Sequence, residues 1–561
     1  MATERFYPGT LANQKEILKA LRAAPITTHP VYYHRKIVEG DTVKLIWIDP
    51  NDVEIDLVKF AEWEKTIIVK KLGSAPESLE DGTIVYENRV RNQHRYEDQA
   101  YVDNQPNGAE WHYRAFPVAT NGGVNMSAKN IFKTYDLFGF CIDHADPGEE
   151  SSVTYIEGNE TFRPASMNFE TGVFDYGDWA TAWFIQNLKP CMLKNDGTVD
   201  YYLDPNDYTK KADGTPSDVA NLEYEGNAMM EWGAPVFYRA VTEDTRLFVY
   251  IASEKVDDSF ECFSALKPDG TYGKFYLPIY EGTYTNPDNS TAYAKNKTKM
   301  RSMSTGFTPN RIHALVGGAN AIYNSTSETE HDAAVANDTA TNSGWGVTRW
   351  ADEELIRILG VLMFKRLNFQ AALNQTFTTH SSALQIPCGS ANDKGLFWGH
   401  EDGSWTGFKF FGMENWWNHR NRRCTGIVVI DGEPFVKMTK HRLDGSMGDD
   451  WVYGTNVTQY KNAYMATGEQ VSPGLITATH GKTQFDKQKK WSLVFSPEEA
   501  GTGSTTTHYC DQSYTAMGLM GVLLGGFLSY GASAGLFYFL SSSAPSYAYW
   551  YCGASLSYRN F

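Results

Sequence analysis

From Ile26 to about Gly123 the chain alternates apolar and polar positions: Val43, Leu45 and Trp47 interleave with Thr42, Lys44 and Ile46. Strand-like runs follow at Thr66 to Lys70, Thr83 to Tyr86, Ala100 to Asp103 and Trp111 to Val118. Short strands at that spacing predict a small β-sandwich over 26–125. Ahead of it, Leu11 to Ala24 read as a short helix: Thr10 can cap it, Leu11, Leu18 and Leu21 share a stripe, and Pro25 stops it. So short a helix needs a partner. Residues 1–25 are therefore expected to dock, on copies of themselves or on another protein, or else to fold onto the next domain.

Asn121 to Met126 reads as a linker. Residues 137–232 then form a mixed segment rich in turn signals, among them Asp196-Gly197, Pro205-Asn206-Asp207 and Asp213-Gly214. The remainder, 233–561, opens with strand-like runs at Leu247 to Ser253 and Lys274 to Glu281 and contains one clear helix. In that helix Asp352, Glu353 and Glu354 sit near the start and Lys365 and Arg366 near the end, as the helix dipole favours, while Leu355, Leu359, Leu362 and Met363 make an apolar stripe. Beyond Phe397 the chain is rich in Gly and Trp, with short strands at Gly426 to Asp431 and Pro434 to Met438. That pattern predicts a small-strand fold with long loops, held by buried aromatics. A head beginning near Gly233 is expected to be separable from the rest.

At 561 residues one compact core is excluded. A net charge of −17 argues against a nucleic-acid footprint, which needs a surplus of Lys and Arg on one face, so Lys487, Lys489 and Lys490 read as a solvated turn. The seven cysteines are scattered singly, without the paired spacing of zinc or redox motifs, which implies reduced thiols and folding in a cytoplasm. No signal peptide is legible at the start, so sequons such as Asn289-Ser290-Thr291 read as chance. One uncharged stretch, Thr515 to Leu540, is long enough to cross a bilayer. It holds six glycines with Ser529, Tyr530 and Ser533 and lacks basic flanks, so no membrane insertion is expected.

The segment Gly525 to Ser557 is built almost wholly from Gly, Ala, Ser, Tyr, Phe and Leu, with one Pro, one Trp and one Cys, and has no Asn, Asp, Lys, Glu or Arg. As a buried strand pair, Ser541 to Ser543 and the alternating Tyr547, Tyr549 and Tyr551 would each need a hydrogen-bond partner for a hydroxyl. As a binding surface the same alphabet makes sense: Tyr offers rigid contact area at little entropic cost, and Ser offers adaptable hydrogen bonding. The candidate ligand-binding residues are Phe527, Ser529, Tyr530, Ser533, Tyr538, Ser541, Ser542, Ser543, Tyr547, Tyr549, Tyr551 and Cys552. On a strand, the three alternating tyrosines would share one outward face, with Ala548 and Trp550 pointing in.

Catalytic constellations are thin. Asp143, His144 and Asp146, or His400, Glu401 and Asp402, could ligate a metal, but such triplets are common in turns. Glu414 beside Trp416 and Trp417 could be a glycan-cleaving acid, or a satisfied carboxylate under core tryptophans. Gly501-Thr502-Gly503-Ser504 is no phosphate loop. No enzyme activity, cofactor or metal is assigned.

Two resemblances extend this reading. Trp47 on an early strand, with Tyr113, Phe116 and Val118 on a late one, resembles a fibronectin type III domain of the kind phage tail proteins carry, which implies a spacer over 26–125. Gly525-Gly526, Gly531, Ala534-Gly535-Leu536-Phe537, Ala544-Pro545, Trp550 and Gly553 resemble the C-terminal frame of variable proteins diversified by retroelements. These share a C-type-lectin-like α+β fold with formylglycine-generating enzymes. Upstream, Phe411 to Trp417, Gly426-Ile427 and Val436 to Thr439 resemble the phage version of that domain, and 137–232 is similar to a module preceding it in phage tail proteins. In that family adenine-directed mutagenesis scrambles Asn codons of the AAC type, with products that include Ser, Tyr, Phe, Cys, Leu and Ala, and the alphabet here fits that outcome. Its enzymatic branch needs paired cysteines after the double glycine, where this chain has Ser529, Tyr530, Ser533 and Tyr538, with Cys552 alone.

The resemblance implies a multi-domain, mainly β protein: docking helix (1–25), fibronectin-like spacer (26–125), intermediate module (137–232) and lectin-like head (233–561) with a variable segment at 525–557. Its implied function is a virion tail-tip adhesin, made in the host cytoplasm, with a host cell-surface protein or glycan and other tail or baseplate proteins as partners. A homotrimer is the oligomer it suggests. Alternatives from other classes are a glycan depolymerase and a bacterial surface adhesin.

Overall fold

The computed structural model describes residues 25–55, 58–105, 110–221, 224–284, 299–304, 326–373, 388–400, 407–440, 451–484, 491–549 and 551–559. The docking helix expected at Leu11 to Ala24 lies outside them. The protein is mainly β and divides into two compact units, residues 1–136 with 254–260 and residues 137–253 with 261–561.

The first unit holds strands β1 (Tyr32–Glu39), β2 (Thr42–Ile48), β3 (Trp63–Leu72), β4 (Thr83–Asn88), β5 (Tyr101–Asn104) and β6 (Trp111–Ala119). They form two three-stranded sheets, β1-β2-β5 and β4-β3-β6. Val43, Leu45 and Trp47 from the first sheet share a core with Ile68, Tyr113 and Ala115 from the second. The alternation read at 42–47 is therefore the inward row of a sandwich. Buried Asp49 pins that core: its carboxylate accepts from Trp47 Nε1 (2.9 Å), Thr66 Oγ1 (2.6 Å), Asn88 Nδ2 (3.0 Å) and Asn92 N (2.8 Å). A buried carboxylate with four donors is satisfied, which a buried charge requires.

The second unit begins with β7 (Leu137–Asp143), β8 (Val153–Ile156), β9 (Leu188–Lys194), β10 (Val199–Asp204), β11 (Asp207–Lys211), β12 (Gly226–Trp232), β13 (Phe237–Glu243), β14 (Arg246–Ala252) and β15 (Phe275–Pro278). It continues through β16 (Trp345–Val347), α1 (Trp350–Phe364), β17 (Asn421–Ile430), β18 (Glu433–Val436), β19 (Met465–Ala466), β20 (Gly474–Thr479) and β21 (Pro497–Ala500). The last strands are β22 (Gln512–Thr515), β23 (Leu519–Leu524), β24 (Phe539–Ser543), β25 (Cys552–Ala554) and β26 (Leu556–Arg559). Three larger sheets result: β8-β7-β14-β13, β11-β10-β9-β12-β15-β26-β16, and the nine-stranded β19-β18-β17-β23-β24-β22-β20-β21 with β25 added beside β17.

This topology corrects one boundary. Residues 137–232 do not form a module apart from 233–561, because β7 pairs with β14 and β12 pairs with β15 along continuous ladders. The turn signals there close hairpins. Asp196 accepts from both the N–H (2.9 Å) and hydroxyl (2.7 Å) of Thr198, and Asp213 does the same for Thr215 at 2.9 and 2.6 Å. The first boundary also moves, from about 125 to 136, and 254–260 returns to the first unit. The uncharged stretch Thr515 to Leu540 supplies β23, a 3₁₀ turn and part of β24, and among the described residues no helix is long and apolar enough to cross a membrane.

Helix α1 departs from the amphipathic reading, since all of its residues are buried. Its charges are paired inside the fold. Arg422 of β17 grips Glu353 through three hydrogen bonds at 2.7 to 3.1 Å, and Arg559 of β26 pairs with Asp352. Glu354 accepts from Val494 N (2.6 Å) and Tyr238 Oη (3.2 Å), and Arg357 donates to the Leu536 carbonyl (2.9 Å). Asp352 also accepts from the N-cap Arg349 N–H (3.0 Å), so the dipole argument holds for one of the three acids.

A chain starting at Leu137 is expected to unfold in one cooperative transition, followed by circular dichroism. One starting at Gly233 strips β12 from β15 and β7 from β14, and is expected to be insoluble or molten. A sharp cooperative melt from the Gly233 chain would show that the two segments fold independently.

Candidate functional site

The biased segment runs through β24, the loop 544–551 and β25 and closes on the nine-stranded sheet. β24 lies between β22 and β23, and β25 pairs in parallel with the start of β17, Asn421 opposite Cys552. Ahead of β24, Gly526 and Gly535 fix a tight course. Gly526 has φ +73°, and a Cβ there would stand 2.5 Å from Ala534 Cβ; a Cβ on Gly535 would overlap the Asp511 carboxylate. That carboxylate accepts from Phe537 N (2.7 Å), and burial pushes its pKa up to about 8.

The loop between β24 and β25 is not a strand, so the period-two arrangement expected of Tyr547, Tyr549 and Tyr551 does not occur. Main-chain atoms hold it instead. Ser327 N donates to Pro545 O (3.0 Å), Tyr547 N to Ala544 O (2.8 Å), Cys552 N to Tyr549 O (3.0 Å) and Asn421 N to Tyr551 O (2.9 Å), while the Arg423 guanidinium donates to Tyr547 O. Arg423 is held in turn by Glu330 at 2.9 Å. Trp550 lies outside the described residues.

Aromatic side chains converge on this loop. Phe527 stacks on Tyr551 at 4.3 Å and meets Tyr530 edge-on at 4.3 Å; Tyr530 stacks on Tyr538 at 5.3 Å; Tyr549 packs beside Tyr551 at 4.6 Å. The Tyr547 and Tyr551 hydroxyls share a hydrogen bond of 2.7 Å. Beside them lies an open hollow of about 500 Å³, lined by Tyr514, Tyr530, Tyr547 and Tyr551 together with Leu540, Ser542, Ser543, Ala544 and Ser546. Those walls present ring faces and hydroxyls. Such a surface suits a ligand with hydroxyl or amide groups and an apolar face.

The twelve expected residues thus separate. Ser529, Ser542 and Tyr549 are exposed, and Tyr530, Ser533, Ser543, Tyr547 and Tyr551 are half-buried. Tyr538, Ser541 and Cys552 are fully buried and Phe527 is 7% exposed against Tyr551, which removes all four from direct ligand contact. Tyr538 and Cys552 join Leu523 and Leu540 in a core cluster beneath Tyr530, Tyr547 and Tyr551, and Ser541 Oγ donates to the Tyr514 carbonyl (3.1 Å). Burial pushes the Cys552 thiol up to about 12. Four lining residues were not anticipated: Leu540, Ala544, Ser546 and Tyr514. Ser546 carries the segment's own alphabet; Tyr514 lies outside it and is brought in by the parallel pairing of β22 with β24.

The other candidates that the described residues include resolve as structure. Asp143 and Asp146 accept backbone N–H groups of their own turn (3.0 and 2.8 Å), and His144 bonds Tyr509 Oη (2.9 Å). Glu414 is buried, accepts from Gly389 N (2.7 Å) and Ala391 N (3.1 Å), and faces Lys409 at 3.7 Å. Glu401 and Asp402 lie outside the described residues. Compared with known proteins, the chain matches no family model and no curated protein.

Replacing Tyr538 by Ser should cost about 3–5 kcal/mol, as for a large aromatic truncated in a packed core, whereas Tyr549→Ser at an exposed position should shift stability by about half a kcal/mol or less. Denaturant midpoints for both variants measure this, and equal losses would place Tyr549 in the core. Asp511 generates a pH prediction. Unfolded, it ionises in the ordinary range of about 3.9, but folded it keeps its proton to about pH 8. Between those values the unfolded state binds fewer protons, so stability falls as pH rises and levels off above the folded pKa. Asp511→Asn should flatten this fall between pH 5 and pH 8; an unchanged pH slope would refute the raised pKa.

Proposed function

We propose that this protein is a phage tail-tip adhesin, and that the tyrosine-walled hollow binds a bacterial surface ligand. The observation carrying this reading is the loop 544–551, whose described residues are anchored through backbone atoms while Tyr549 faces solvent. A surface meant to vary needs a backbone whose hold does not depend on the side chains that change. The restricted alphabet at 525–557 and its likeness to retroelement-diversified, C-type-lectin-like proteins support the same conclusion. In this reading the first unit is a fibronectin-like spacer, and residues 1–25 dock the chain, as a homotrimer, onto other tail proteins. The ligand face contracts to Tyr514, Ser529, Tyr530, Ser533, Ser542, Ser543, Ser546, Tyr547, Tyr549 and Tyr551, with a host protein or glycan as its target.

Binding rather than cleavage fits the chemistry of the walls. Among the described residues lining the hollow there is no carboxylate, imidazole or amine to move a proton at neutral pH.

Fluorescently labelled full-length chain, incubated with a panel of bacterial strains, should mark a subset of them. Tyr549→Ala and Ser542→Arg should each reduce that labelling at least tenfold without moving the melting temperature. Labelling that survives both substitutions would take the hollow out of the binding role, and sugar released from labelled envelopes would assign the protein to the depolymerases.

A further inference from the structure

At the edge of the nine-stranded sheet, three segments bring a histidine and two carboxylates together. His480 follows directly on β20, Glu498 lies in the edge strand β21, and Glu469 lies in the connection from β19 to β20. The ligating atoms of all three fall within 4.8 Å of one another. His480 Nδ1 stands 3.7 Å from Glu469 Oε2 and 3.8 Å from Glu498 Oε2. Those gaps are too long for hydrogen bonds.

The histidine is what makes this more than an acidic patch. His480 is only 1% exposed, and neither ring nitrogen has a hydrogen-bond partner. A buried imidazole left unsatisfied on both nitrogens is costly, and its Nδ1 is aimed between two carboxylates. Its backbone is fixed on both sides: His480 N donates to Ser496 O (3.2 Å), and Thr242 Oγ1 donates to His480 O (2.8 Å). Ser472 Oγ donates to the Glu498 carbonyl (2.8 Å), tying the Glu469 connection to β21.

We propose that His480, Glu469 and Glu498 form a site for a divalent transition-metal ion of the zinc class, with solvent completing the coordination. Bonds of about 2.0–2.2 Å place neighbouring ligand atoms of a tetrahedral site about 3.3 Å apart. The observed gaps of 3.7 and 3.8 Å close to that with a small rotation of each carboxylate. One nitrogen and two carboxylate oxygens suit zinc or manganese better than calcium, which prefers an all-oxygen cage of six or more ligands. The neutral imidazole is the form that ligates a metal. Lys482, half-exposed, pairs with the other oxygen of Glu469 and is the cation's competitor at that carboxylate.

The bound ion would staple the edge strand β21 to β20 and to the connection ahead of it. Full-length chain stripped with a chelator and titrated with zinc chloride by calorimetry should take up one ion at this site and melt at a higher temperature when loaded. Glu498→Gln, at a half-exposed position, and His480→Gln should each weaken that uptake at least tenfold and abolish the rise in melting temperature, whereas Lys482→Ala should preserve or tighten it. Cobalt in place of zinc should give visible absorption of a four- or five-coordinate nitrogen and oxygen site, without a thiolate band. Zinc uptake and melting shift unchanged in Glu498→Gln, or no uptake by the stripped chain, would overturn the site even if His480→Gln fails to fold.

Discussion

Arg422 and Glu353 meet through three hydrogen bonds where almost no solvent reaches, and much of the second unit hangs on that contact. Removing either partner alone would strand a buried charge, a loss of about 3–5 kcal/mol. The pair fixes register as much as it stabilises. Glu353 lies on α1 and Arg422 on β17, so helix and sheet can dock only where the two side chains coincide. The Arg422 guanidinium also lies 3.7 Å from the Trp416 ring and donates to the Trp416 carbonyl, which explains how tryptophans and charges share one core.

The same strand segment carries the constraint outward. Asn421 and Arg423, flanking Arg422, hold the carbonyls of Tyr551 and Tyr547. Arg422 thus turns its side chain to the helix, while the Asn421 backbone N–H and the Arg423 side chain serve the loop. Arg357, one helical turn after Glu353, bonds the Leu536 carbonyl, close to Gly535 and the protonated Asp511. The proposed ligand surface is therefore positioned by buried polar contacts to backbone atoms. Tyr549 and Ser542 face solvent while Gly535 and Tyr538 are packed, a division that fits the proposed variable surface.

Much of the local structure was legible in the chain. The strands at 42–48, 63–72 and 111–119 and the helix at 350–364 follow from period and turn chemistry, which are local properties. The restricted alphabet at 525–557 singled out the segment that lines the hollow, because composition is read without knowing the fold. The burial of individual members was not legible: Tyr538 and Tyr549 are the same residue type in the same segment, and only packing on Leu523 and Leu540 separates them. The acids of α1 misled for a related reason, since charge near a helix start satisfies a solvated dipole and a buried ion pair equally well from sequence.

Three features belonged to tertiary structure alone. Residues 137–232 and the strands after them share ladders, and strand pairing between distant segments leaves no mark in either one. Tyr514 reaches the hollow through a parallel pairing that sets it opposite Leu540, 26 positions further along the chain, and His480 meets Glu469 and Glu498 only where an edge strand folds back. What the sequence by itself determined was the period of each element, its turns and its chemical alphabet, because these depend on neighbours along the chain. Which tyrosines face solvent, which charges are paired and where the units divide were decided by tertiary contacts, because burial is a property of the space between segments that no single segment contains.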